Sequence, residues 1–260
     1  MSQRWTDFFG DGRFSEYVIE NIIKSFTRPA DLFIDGGANE GRHTMIGLSA
    51  GARVVSIEPI PEIAATIVER ARVAKLETSK LTVLTCALSH SSGVSTFSYC
   101  PSRSTLSGLH ARARIRDLDV RELTVEKTTI DATCDVHRLP VPAIIKLDLE
   151  GGEYDAIRGA AKTLSSRPIL IFEHGGNEGA NLYGYQHEQY YSLILQHGYK
   201  LFQINGRPAS IEDFIRPRHW NFIALDLNNN RHAEVLEDFD YLLVDAAQKM
   251  QTLHKVITHV

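Results

Sequence analysis

Ten residues, Leu32-Phe33-Ile34-Asp35-Gly36-Gly37-Ala38-Asn39-Glu40-Gly41, constrain this chain more than any other stretch. An apolar run stops at an acid and turns through glycines, with a helix expected from about Arg42. Strand, tight turn and helix in that order open a doubly wound α/β sheet. An acidic strand end would repel a phosphate at close range, whereas glycines let the backbone approach an uncharged or cationic ligand lying over the turn. S-adenosylmethionine answers that description. A nicotinamide dinucleotide is the rival, but its Gly-x-Gly-x-x-Gly fingerprint needs a glycine where this chain has Ala38.

Arg53-Val54-Val55-Ser56-Ile57-Glu58 is a second strand, and it ends in an acid 17 residues beyond Gly41. A carboxylate at the end of the second strand of such a sheet accepts the hydroxyl protons of an adenosyl ribose. Glu58 therefore indicates a nucleoside without choosing between the methionine and nicotinamide cofactors. Read singly, Asp35 and Glu58 are ordinary strand-end polar residues; it is their register with the glycine turn that gives them meaning.

The remaining chain keeps the rhythm. Phe14, Tyr17, Val18, Ile22 and Phe26 fall at helical spacing, with Ser15 as the expected cap, and predict an amphipathic helix that packs on the sheet or lids the ligand. Pro59 and Pro61 lead into a helix from Glu62 to Lys75, and Leu81 to Cys86 is a third strand. Such connections call for parallel pairing with right-handed crossovers. From Gly93 the rhythm breaks: Val94 to Tyr99 and Arg121 to Ile130 alternate like half-exposed strands around a loop from Pro101 to Gly108, and form an insertion. Between them Arg103, His110, Arg112, Arg114, Arg116 and Arg121 make a basic cluster, read either as solvated surface or as a mouth for an anionic or hydroxylated substrate.

Composition matters here as exclusion. A net charge of -4 and no aromatic interleaving in the basic cluster give no reason to expect a nucleic-acid partner. Cys86, Cys100 and Cys134 are far apart and outside any Cys-x-x-Cys pattern, so neither a disulfide frame nor a zinc site is expected. No apolar run reaches the ~18 residues of a membrane span, and Met1 to Asp7 lacks the apolar centre of a signal peptide, which together predict a cytoplasmic protein.

The fourth strand, from Ala143, runs into Asp148-Leu149-Glu150-Gly151-Gly152-Glu153 and a helix to Leu164. The fifth, from Pro168, ends at Phe172-Glu173-His174 before the stretch Gly175 to Asn181, read as a loop on the rim of the site. A helix from Glu188 to Gln196 and strands near Tyr199 to Ile204 and Asn221 to Leu227 complete a seven-stranded sheet whose last two strands are antiparallel. If the fourth strand lies beside the first, Asp148 faces the crevice where strand order reverses and ligands bind.

The segments Phe33 to Gly41 with Thr44, Glu58-Pro59-Ile60-Pro61, Ala87-Leu88, Ser104-Thr105-Leu106, Ile145 to Glu153 and Phe172-Glu173-His174 together resemble the FkbM family of S-adenosylmethionine-dependent methyltransferases. Two departures are visible: Gly36 where the family usually has valine, and Gly152 where alanine is common. The resemblance covers about residues 31 to 175. It implies a class I Rossmann-like fold for the methyltransferase domain, taken as 31–227, while residue spacing gives an N-terminal helical segment over 1–30 and, outside the resemblance, an amphipathic helix over 228–260. It also implies methyl transfer to an oxygen of a sugar, polysaccharide or polyketide-type acceptor. The cofactor-binding residues it implies are Asp35, Gly36, Gly37, Ala38, Asn39, Gly41, Thr44, Glu58, Pro59, Ala87, Ser104, Asp148 and Glu150.

An alcohol is too weak an acid to ionise before reaction, so a base should take its proton as the new bond forms. His174, Asp148 and Glu173 are the candidates, with His174 preferred because a neutral imidazole titrates near working pH, and Asp148 orienting the acceptor or facing the sulfonium. Glu150 and Glu153 either hold the exit loop or reach the cofactor's amino group. Two alternatives stand beside this reading. In one, Asp148, Glu150, Glu173 and His174 hold a metal ion, although no metal is expected because ligand spacing does not establish one. In the other, the chain is a catalytically silent binding module. Finally, Leu236, Phe239, Leu243, Ala246, Met250, Leu253 and Ile257 alternate at three and four, a stripe that either packs on its own domain or pairs two chains as a homodimer.

Overall fold

The computed structural model describes residues 12–110 and 118–258, the side chains of 253–258 excepted. Strands β1 (Leu32–Gly36), β2 (Arg53–Ile57), β3 (Leu81–Leu84), β7 (Pro142–Leu147), β8 (Ile169–Glu173), β9 (Lys200–Gln203) and β10 (Asn221–Leu225) form one sheet in the order β3-β2-β1-β7-β8-β10-β9. The first five run parallel, and β10 is antiparallel to both β8 and β9. This is the class I methyltransferase arrangement. Helices that cross between the parallel strands must cover both faces, so the central strands carry unbroken apolar runs rather than a polar alternation.

Alternation survives as a choice between two cores. Phe33, Val54, Ile144, Ile171 and Ile223 point to one face. Ile34, Val55, Ile145, Phe172 and Phe222 point to the other. On the first face lie α1 (Gly12–Phe26) and α2 (Arg42–Ser49), with α3 (Pro61–Val73) beside α2. The second face is covered by α5 (Glu153–Arg158), α6 (Ala161–Leu164) and α8 (His187–Gln196), which bury Ala156, Ile157, Leu164, Tyr190 and Ile194 against it. The single predicted helix is interrupted between α5 and α6 at Gly159, where the backbone passes Ser89 too closely for a side chain, a Cβ falling 2.4 Å from its carbonyl oxygen.

The insertion folds as a second sheet of β4 (Ala87–Leu88), β6 (Arg121–Thr128) and β5 (Gly93–Tyr99) in that order. Thr129 then caps α4 (Ile130–Val136), its hydroxyl accepting the Ala132 N–H at 2.9 Å. In the basic cluster Arg121 donates to Asp119 at 3.2 Å, whereas Arg112, Arg114 and Arg116 lie outside the described residues.

Three expectations need correction. Ser15 is not a cap: α1 begins at Gly12 and buries Ser15 inside it. The stretch after His174 is helix α7 (Gly176–Tyr183), not a loop. Its glycines serve packing, since a Cβ on Gly179 would lie 3.1 Å from the Gly151 Cα, and Gly184 ends the helix at φ +69. The tail is two helices, α10 (Asn230–Glu237) and α11 (Phe239–Thr258), and the break coincides with Phe239 laying its ring over the Gly206 turn.

The apolar stripe of the tail is spent within the chain. Leu243, Ala246 and Met250, with Leu242 and Ala247, join Phe14, Val18, Ile19 and Ile22 in the first core. Asn21 straps the pair, donating to the Leu242 carbonyl at 3.0 Å and accepting from Lys249 at 2.6 Å. A dimer through that stripe would have to expose this core; Leu253 and Ile257 lie beyond the described side chains. A short helix α9 (Ile211–Ile215) buries Phe214 on the second face. Among the described residues no helix is long and apolar enough to cross a membrane.

Candidate active site

Three strand ends are laced together at the carboxyl edge of the sheet. The Gly37 and Ala38 N–H groups donate to the Ile57 carbonyl at 2.9 and 3.1 Å, and the Asp148 N–H donates to the Gly36 carbonyl at 3.0 Å. Only glycine fits at position 37. Its φ is +72, and a Cβ would fall 1.9 Å from the Asp148 carbonyl oxygen, so the exits of β1 and β7 touch backbone to backbone.

A cavity of about 600 Å³ opens over this junction. Gly37, Ala38, Asn39, Glu58, Pro59, Ala87, Ser104, Asp148, Glu150 and Glu173 line it. Of the predicted residues, Asp35, Gly36, Gly41, Thr44 and His174 do not. Asp35 is fully buried behind the turn, where it accepts the Thr44 hydroxyl at 2.7 Å. Burial raises its pKa, against the pull of Lys146 and Thr44. Its contribution is to the frame of the turn.

Glu58 holds the opposite side. Its two carboxylate oxygens accept the N–H groups of Asn39 and Ile60, both at 3.0 Å, which leaves each oxygen a further lone pair toward the cavity. Burial pushes its pKa up to about 7 despite those bonds. Ser104 donates to the Asn39 side-chain carbonyl at 3.2 Å and so ties the insertion to the turn. Ile60, Ala87, Leu88, Phe97 and Leu109 supply the apolar part of the wall.

At the floor, Lys146 lies almost wholly buried and donates to Asp148 at 3.0 Å. Burial alone would lower the ammonium's pKa, but Asp148, Asp35 and Glu16 surround it and hold it charged, above the ordinary lysine value. Ligating oxygens of Asp148, Glu150 and Glu173 lie within 4.8 Å of one another. That spacing suits a divalent cation or a shared proton, and His174 is not part of it. Glu153 holds the exit loop: its carboxylate receives the Leu149 N–H at 2.5 Å and the Gly151 N–H at 3.1 Å. Its pKa is pushed up to about 8 by burial.

His174, the preferred base on sequence grounds, is fully buried. Its Nδ1 accepts the Gly176 N–H at 3.0 Å, so the neutral ring carries its proton on Nε2, which faces His187 Nδ1 at 3.3 Å. His187 Nε2 in turn faces the Asn177 side-chain oxygen at 2.8 Å. Phe214 meets the His174 ring edge-on, Tyr190 stacks on it, and burial pulls its pKa down to about 3. A strand alternates its side chains, and the position after Glu173 points into the second core rather than the cavity. Sequence reading missed Glu16, Arg42, His43, Lys146 and Tyr183 in the wall. Lys146 alone carried a signal, a cation two places before Asp148 in an otherwise apolar strand.

The model of the methyltransferase FkbM domain matches residues 35–201, and the chain belongs to that family. It is 26% identical over 147 residues to the hexuronic acid methyltransferase AglP of Haloferax volcanii, covering 56% of this chain and 57% of that protein. An FkbM methyltransferase from Methylobacillus flagellatus KT is similar in structure at 20% identity and a TM-score of 0.47, over 75% of this chain and 43% of that one. A TehB-like methyltransferase from Corynebacterium glutamicum matches at 10% identity and a TM-score of 0.41, over 80% and 85% of the two chains. The chain thus spans little more than half the length of the curated relative.

His174→Ala is expected to lower stability by ~2–5 kcal/mol through the void left in the second core, while leaving cofactor affinity unchanged. Thermal unfolding and a binding titration on the same preparation measure both. Weakened binding at unchanged stability would return His174 to the site.

Proposed function

We propose that this protein is an S-adenosylmethionine-dependent O-methyltransferase whose acceptor is a hydroxyl of a sugar or glycan. The observation that carries the cofactor reading is Glu58, which is locked by two backbone N–H groups beside a glycine turn and has lone pairs left for a ribose diol. Family membership supports methyl transfer. The hexuronic acid methyltransferase, at 26% identity, supports a sugar acceptor.

The cofactor supplies an electrophilic methyl group on sulfur, and the protein's task is alignment and proton removal. Positioning of the two reactants contributes up to ~7–11 kcal/mol to such a displacement. Of the two carboxylates that meet the reacting end, Asp148 is bonded to Lys146 at 3.0 Å. Glu173 stands in the same cluster and lines the same cavity. We assign Glu173 as the group that would take the hydroxyl proton as the methyl is transferred, with Asp148 orienting the acceptor hydroxyl. Transfer of labelled methyl to a panel of uronic and neutral sugars tests this reading. Glu173→Gln should retain cofactor binding and lose ~10²–10⁴-fold in turnover. Turnover should survive a chelator. Loss on chelation and recovery with magnesium would make the three carboxylates metal ligands instead.

Glu58 sets a pH dependence. Its folded pKa lies near 7, above the usual carboxylate value, so it is neutral below that pH and gives up acceptor capacity. Cofactor affinity should therefore fall as pH drops from about 8 to about 6, as the carboxylate whose pKa burial has raised takes up its proton. Glu58→Gln should weaken binding by about 1.5–3 kcal/mol and flatten the pH slope. An unchanged slope in the variant would place the titrating group elsewhere.

A further inference from the structure

One residue of the cavity wall lies outside the family match. Glu16, on α1, is the only cavity-lining residue that helix contributes among the described residues, and its side chain keeps 27% of its exposure there. Among the described residues its one contact with a permanent cation is long. Arg42 approaches to 3.8 Å but makes its short bond, 2.6 Å, to Glu20. Lys146 is engaged by Asp148. His43 Nε2 stands 3.4 Å away without a hydrogen-bond partner, and that ring is 4% exposed. Burial, with Lys146 and Arg42 nearby, holds the His43 pKa well below its ordinary value, so the contact is not an ion pair. These contacts set Glu16 against the first residues of α2, just past the glycine turn, in the wall of the cavity that Lys146 and Asp148 also line.

Strand order says which end of the cavity this is. Glu58 follows β2, the glycine turn follows β1, and Lys146 and Asp148 belong to β7 and its exit, in the spatial order β2-β1-β7. A ligand with its ribose on Glu58 that lies across the turn reaches Asp148 and Glu16 with its amino-acid end. Resting on the cofactor reading above, we infer that Glu16 receives the α-ammonium of the cofactor's methionine moiety, making the N-terminal helix part of the cofactor site. A carboxylate whose one ion pair is long gains a closer, charge-assisted bond when that ammonium arrives.

Two thioethers separate this role from mere support of the fold. S-adenosylhomocysteine carries the amino-acid end; 5′-methylthioadenosine has the same nucleoside and sulfur without it. Calorimetric titration of the full chain should show Glu16→Gln binding S-adenosylhomocysteine about tenfold more weakly than wild type, with methylthioadenosine affinity unchanged, since its nucleoside contacts do not involve Glu16. Retained methylthioadenosine binding also reports that the variant is folded. Equal losses for both ligands, or no loss for either, would overturn the inference while leaving the cofactor reading intact. Failure of wild type to bind either ligand would remove both.

Discussion

A lysine buried in the central strand of a parallel sheet is the constraint around which this site is built. Leaving an ammonium unpaired in such a place costs several kcal/mol. Lys146 therefore requires the acids that stand around it: Asp148 in direct contact, Asp35 at the adjacent register position of β1, and Glu16 from α1. Of those acids Asp148 and Glu16 line the cavity, while Asp35 lies buried behind the turn. That cavity is proposed to take a ligand with a sulfonium and an ammonium.

The backbone supplies the other half of the design. Gly37 allows the β1 exit to rest on the Asp148 carbonyl, and the bonds from Gly37 and Ala38 to Ile57 fix the second strand to the same junction. Glu58 then clamps the turn from the far side through Asn39 and Ile60. Charged floor, glycine turn and Glu58 are thus held on three adjacent strands. Their relative positions follow from sheet hydrogen bonding rather than from flexible side chains, the condition under which positioning contributes most to catalysis.

How much of this could be read from the sequence depends on how local each signal is. The strand–turn–helix at Leu32 to Gly41, the acid at Glu58 and the exit at Asp148 are encoded within a few residues, and their placement at one cavity is legible there. Where the reading went astray, the cause was tertiary. Asp35 lies at the end of an apolar run in both sequence and structure, yet only strand packing shows that it faces Thr44 and not the cavity. His174 was attractive by residue type, but one step of strand alternation sends it into an aromatic core. Gly175 to Gly179 looks like loop because glycine is usually a breaker; here its lack of a side chain lets α7 pass the Gly151 backbone. Glu16 carried no local signal at all, being a polar residue on the wet side of an amphipathic pattern. The apolar stripe of the tail crosses the break between α10 and α11, and spacing over so short a stretch cannot say whether its partner is another chain or α1.

The cavity over Gly37 and Glu58 is proposed to take a methionine-derived cofactor and not a dinucleotide. Calorimetric titration of the unmodified protein with S-adenosylmethionine and, separately, with NAD tests it most directly. The account predicts one S-adenosylmethionine bound per chain and no heat from NAD. Saturable NAD binding with no response to S-adenosylmethionine would contradict it.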